Sequence, residues 1–66
     1  MTVIVNGTSR ELPDGATVTV LLELLTIPSN GTAVAVDGEV VPRTRHAETA
    51  LVDGAVVEIL TAVQGG

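Results

Sequence analysis

Four dipeptides do most to limit what this 66-residue chain can fold into: Asn6-Gly7, Asp14-Gly15, Asp37-Gly38 and Asp53-Gly54. Each puts a residue that tolerates left-handed backbone before one that lacks a Cβ, which is what a tight reversal requires. Asn6-Gly7 follows the alternating, β-branched stretch Met1–Val5, and Asp37-Gly38 follows the alternating Ala33–Val36. Both therefore predict two-residue hairpins of type I′, in which the two central residues take positive φ.

Between the reversals each segment has its own period. Met1–Val5 reads as a strand with Val3 and Val5 on one face, and Thr8–Leu12 as its return strand, closed by Pro13-Asp14-Gly15. Thr17 is placed to cap a helix; Val20 stands at the third helical position, so a capping box is absent. Val18, Leu21, Leu22 and Leu25 form a stripe of period near 3.6, and Val20, Leu24 and Ile27 widen it to a broad buried face. Pro28 with Ser29-Asn30-Gly31 ends the helix. The second hairpin pairs Ala33–Val36 with Glu39-Val40-Val41, and Pro42 stops it. Arg43–Leu51 is polar and irregular, with room for a single helical turn, and Ala55–Val63 is the last strand.

One helix can cover only one face of a sheet. The first and last strands are apolar and free of interior proline, which suits them to adjacent, central, parallel positions joined by a long crossover. The expectation is an α+β β-grasp fold: a mixed sheet of four to five strands with one main helix on one face. It forms one domain over residues 1–66, with 64–66 as a flexible tail.

Composition sets the chemistry that is open to such a domain. The chain is 45% hydrophobic without Phe, Trp or Tyr, so the core must be aliphatic. At roughly 1.5–3 kcal/mol per buried side chain, that core offsets the ordering entropy with little surplus. Without cysteine there is no disulfide and no thiolate metal site. If the protein handles sulfur, only a backbone carboxylate could hold it. Eight acidic residues against three arginines give a net charge of −5, which argues against nucleic acid and favours a partner with a basic docking surface. No lysine offers a side-chain acceptor for self-conjugation. The start of the chain has no basic leader and no long apolar run, so neither a signal peptide nor a membrane span is expected, and the default location is the cytoplasm.

Few side chains suggest a site. Asp14, Asp37 and Asp53 each precede glycine, and turn chemistry accounts for them. His46 is the single histidine and has no cysteine or second histidine to form a metal or nucleophile pair, so its role is structural or at the surface. Arg43 and Arg45 either close the connector or meet acidic groups on partners. If Val57 and Ile59 face the helix, then Val56, Glu58 and Leu60 face the open side of the sheet beside Ile4. With Val63 they make a candidate docking patch. The sequence ends in Gly65-Gly66, slim enough to thread a narrow channel behind Gln64 and present an anionic carboxylate. The same residues also suit an ordinary loose C-terminus.

Taken together, Val5-Asn6-Gly7, Glu11-Leu12-Pro13-Asp14-Gly15, the Leu-Leu-Glu-Leu-Leu run at 21–25, the segment Ala33–Arg43 with its Val-Val-Pro-Arg, Asp53-Gly54 leading to Val57-Glu58-Ile59, and Gly65-Gly66 resemble the ThiS family, the sulfur carriers of thiamin thiazole biosynthesis. The resemblance covers essentially the whole chain. It implies a ubiquitin-like fold and a cycle of chemistry at Gly66. A ThiF-type enzyme with ATP and Mg²⁺ adenylates the carboxylate. Persulfide sulfur from a cysteine-desulfurase route displaces AMP to leave a thiocarboxylate, and thiazole synthase (ThiG) takes that sulfur. Gln64, Gly65 and Gly66 would enter the partner's site, and the chain itself would bind no cofactor and be substrate rather than enzyme. Carriers that serve molybdopterin or a sulfur amino acid, and ubiquitin-like modifiers that join Gly66 to lysines on targets, share this pattern. His46 stands where relatives often have an aromatic residue, a departure that bears on packing rather than chemistry.

Overall fold

The alternating segments assemble into one five-stranded mixed sheet in the computed structural model, which describes residues 1–61. β1 (Thr2–Val5), β2 (Thr8–Glu11), α1 (Val18–Leu24), β3 (Thr32–Val36), β4 (Glu39–Val41) and β5 (Val56–Thr61) follow in chain order, with a 3-10 helix over Arg43–Glu48 before β5. In space the strands run β2-β1-β5-β3-β4. β1 and β5 are parallel neighbours, Ile4 beside Val56 and Val5 beside Val57, while all other pairs are antiparallel. The expected adjacency of first and last strands is thus met. The expected strand end at Val63, and the tail residues Gln64, Gly65 and Gly66, lie outside the described residues.

Both hairpins take the expected form. Asn6 and Gly7 have φ of 48° and 83°, and Asp37 and Gly38 have 50° and 85°, so both central positions of each turn are left-handed. The turn side chains also reach across the fold. Asp37 Oδ1 accepts from the Val56 N–H at 2.9 Å, and Asp53 Oδ1 accepts from the Thr2 N–H at 2.8 Å. These aspartates therefore tie strand ends as well as making turns.

Thr17 caps α1 as expected, its Oγ1 accepting from the Val20 N–H at 3.3 Å. The C-terminus is a Schellman motif. The Ile27 N–H donates to the Leu22 carbonyl at 2.8 Å and the Thr26 N–H to the Glu23 carbonyl at 3.1 Å, with Thr26 in the left-handed region at φ 58°. A β-branched residue there is uncommon, because its Cβ crowds the adjacent carbonyl. Val18, Leu21 and Leu22 are buried, and Val20, Leu25 and Ile27 pack partly against the core. Leu24 corrects the expected breadth of the stripe: it is 58% exposed. Angle around the helix does not account for this, since Val20 lies farther from Leu21 on the same side, about 100°, and still packs partly on the core; Leu24 is the last residue of α1, one turn beyond Val20.

The core is wholly aliphatic. Val3 and Val5 of β1, Val57 and Ile59 of β5 and Val34 of β3 point at α1, and Leu12, Ala16, Leu51 and Ala55 close the ends. The connector is more regular than its sequence suggests, six residues of 3-10 helix instead of one turn. His46 anchors it. The ring is only 3% exposed, with Nε2 at 3.1 Å from the Val41 carbonyl. A carbonyl only accepts, so Nε2 carries the proton. Nδ1 is buried and finds no partner among the described residues. Of the two expected roles, structural or surface, the structural one holds.

Candidate functional site

With α1 on one face, no described element covers the other face of the sheet, and alternation decides what stands on it. The inward residues of β5 are Val57 and Ile59, so Val56, Glu58 and Leu60 must point the opposite way, and all three are exposed. Ile4 lies between inward Val3 and Val5 and beside Val56 in the parallel register, which places it on the same open face, half-buried. Four of the five expected patch residues, Ile4, Val56, Glu58 and Leu60, are thereby brought together. The fifth, Val63, is outside the described residues.

The register adds members that the sequence reading missed. Ala35 of β3 stands opposite both Glu58 and Val40, and Ala33 stands opposite Leu60. Val40 is 74% exposed and Leu60 72% exposed. Between these two raised side chains Ala33 and Ala35 form a low floor, giving a groove of about 210 Å³ rimmed by Asn6 and Glu58. The signal for Val40 was available: a two-residue turn at Asp37-Gly38 fixes the pairing, and so places Val40 across from Ala35.

The surface chemistry is apolar with an acidic edge. Glu58 is exposed beside the valine and leucine side chains, whereas the arginines of the connector are engaged by other residues. Arg43 donates to the Asn30 Oδ1 at 2.8 Å, and Arg45 pairs with Glu48 at 3.0 Å in an exposed i,i+3 contact. Of their two expected uses, closing the connector is what these bonds do. Among the described residues no group of three or more His, Asp or Glu side chains is gathered to hold a metal. No helix among them is long and apolar enough to cross a membrane. The groove can bind a partner's apolar side chain, but it presents no nucleophile paired with a base.

A five-stranded mixed sheet with parallel first and last strands, one helix across one face and an open apolar groove on the other defines a ubiquitin-like β-grasp protein. Within that class the assignment narrows. The ThiS family model matches residues 3–66, and the chain belongs to that family. The crystal structure of the thiamine biosynthesis protein ThiS from Geobacter metallireducens is 32% identical, with a TM-score of 0.85 and full coverage of both chains. An NMR solution structure of a thiamine biosynthesis protein from the same organism is also 32% identical, with a TM-score of 0.84, covering 100% of this chain and 88% of that one. Comparison with curated protein sequences gives no match.

Proposed function

We propose that this chain is a sulfur carrier for thiamine biosynthesis, working in the cytoplasm as the substrate of successive enzymes. The observation that carries the reading is the family match over residues 3–66, joined to full-length superposition on a thiamine biosynthesis protein. The reactive group is the carboxylate of Gly66. Its oxygen attacks the α-phosphorus of ATP in a ThiF-type enzyme, forming an acyl-adenylate and expelling pyrophosphate. A persulfide sulfur supplied from a cysteine desulfurase then displaces AMP, and a thiol that attacks the resulting acyl disulfide frees the thiocarboxylate. Thiazole synthase (ThiG) consumes that sulfur and returns the carboxylate.

Physical chemistry supports this division of labour. A carboxylate is a poor electrophile, and converting it to an adenylate requires positive charge around the transferring phosphate. A chain of net charge −5 has little of that to offer, so ATP, Mg²⁺ and the cationic groups belong to the partner. Gln64, Gly65 and Gly66 enter the partner's channel, where the missing Cβ atoms of the glycines leave room. The globule serves as the handle. The partner docks on the open face over Ile4, Val56, Glu58 and Leu60, now joined by Val40. Intact mass spectrometry after incubation with ATP, a ThiF-type enzyme and a persulfide source tests the reading. Exchange of one oxygen for one sulfur, localised to Gly66, supports it; an unmodified chain, or covalent joining to a target lysine, rejects it.

A further inference from the structure

At the end of β1 the chain leaves the sheet, because Asn6 takes left-handed backbone, φ 48°, to begin the hairpin. Its N–H still follows the parallel ladder, donating to the Val57 carbonyl at 2.9 Å, as the Ile4 N–H donates to Ala55 at 2.9 Å. In a regular parallel ladder the main-chain carbonyl of Asn6 would accept the next bond, from Ile59. The side chain takes that place. Asn6 Oδ1 accepts from the Ile59 N–H at 2.8 Å, and Asn6 Nδ2 donates to the Ile59 carbonyl at 3.1 Å. One amide thus satisfies both backbone groups of a residue 53 positions away. On the opposite edge β3 holds β5 as far as the Thr32–Thr61 pair. On the β1 edge the Asn6 amide is what holds β5 beyond Val57.

We propose that Asn6 is a positioning residue, whose amide fixes the direction in which β5 delivers residues 62–66 to the activating enzyme. The inference rests on the carrier reading above. A type I′ turn accepts Asn, Asp or Gly at this position, so the turn alone does not call for an amide. Of the three, only Asn has both an N–H to give to the Ile59 carbonyl and an oxygen to accept from its N–H. A strand held along one edge samples more directions than one held along both. If only a fraction of those directions leads the chain end into the partner's channel, apparent affinity falls by that fraction while the bound complex reacts unchanged. Asn6 also rims the groove beside Leu60 and Glu58, so the docking surface and the exit strand are set by the same residue.

The test compares the wild type with Asn6→Gly and Asn6→Asp, which preserve the turn, and with Thr17→Ala as a control of stability. Thr17 caps the helix, far along the chain from β5, and losing that cap costs stability without touching the exit strand. Two measurements are made on each: native-state hydrogen exchange at the Ile59 amide, and pyrophosphate release by a ThiF-type enzyme with ATP and Mg²⁺ as carrier concentration varies. In Asn6→Gly, protection of Ile59 should fall by about thirtyfold, the factor set by losing two hydrogen bonds of ordinary net strength. The KM for the carrier should rise severalfold with kcat unchanged. Asn6→Asp retains the acceptor but loses the donor, and should fall between the two. Thr17→Ala should keep the wild-type KM. Retained protection in Asn6→Gly, lost protection without a KM change, or an equal KM rise in Thr17→Ala each overturns the positioning role. Failure of the wild-type chain to support pyrophosphate release rejects the carrier reading instead, and the role with it, whatever the exchange data show.

Discussion

Leu60 gives the most direct measure of whether the open face docks a partner. Its side chain is 72% exposed, so about that share of its apolar surface is available for a partner to cover. Burying a leucine in full is worth roughly 1.5–3 kcal/mol, and scaling by the exposed share leaves about 1–2 kcal/mol at the interface. Leu60→Ala should therefore weaken binding to the ThiF-type enzyme by roughly five- to thirtyfold. Leu60→Arg should weaken it further where the partner surface is basic, because the new guanidinium meets like charge. Neither change should disturb the fold much, since exposed positions away from special features stay within about 0.5 kcal/mol. Titration calorimetry reads the affinity, and thermal unfolding by circular dichroism reads the fold. Wild-type affinity in Leu60→Arg, with the unfolding curve in place, refutes a docking surface at this end of the groove.

Thr26→Gly should stabilise the protein. Relief of a left-handed non-glycine residue is worth about 1–2 kcal/mol, less about 0.5–1 kcal/mol for glycine's larger entropy in the unfolded chain, and the Thr26 side chain is exposed. A gain of about 0.5–1 kcal/mol raises Tm by roughly 2–8 °C in a domain of this size, and a fall in Tm would contradict the strain argument. Leu21→Ala should cost about 2–5 kcal/mol, since the side chain is fully buried at the centre of the aliphatic core. Urea unfolding should then show a midpoint displaced strongly to lower concentration with little change of slope. Gly65→Val should abolish pyrophosphate release by the ThiF-type enzyme; persistence of release would mean that the channel does not require a bare backbone.

What could be read from the sequence was local chemistry. The paired left-handed residues at Asn6-Gly7 and Asp37-Gly38 fix both hairpins, because only a few residue types tolerate such backbone. Alternation in β1 and β5 fixed their inward faces, and with them four members of the open-face patch. The missed features depend on partners distant in sequence. Whether Leu24 is covered depends on how far along the helix the core reaches, which the period alone does not give. The burial of His46 depends on the Val41 carbonyl lying within reach of its ring. Thr26 at the helix end shows packing of Ile27 and its hydrogen bond to Leu22 prevailing over local preference. The two bonds from Asn6 to Ile59 follow from the parallel seam and from the turn displacing a backbone carbonyl, a combination visible only once both strands are in place.

The place of β5 also bears on synthesis. It leaves the ribosome last of the five strands, yet it stands third in the sheet, between β1 and β3, and the two hairpins do not pair with each other. A nascent chain that stops short of it has two halves with no shared hydrogen-bond ladder and a helix with half a floor beneath it. Completion of the sheet thus waits on the final strand: a chain terminated before Val56 lacks both the ladder that joins the two hairpins and the outward-facing Val56, Glu58 and Leu60.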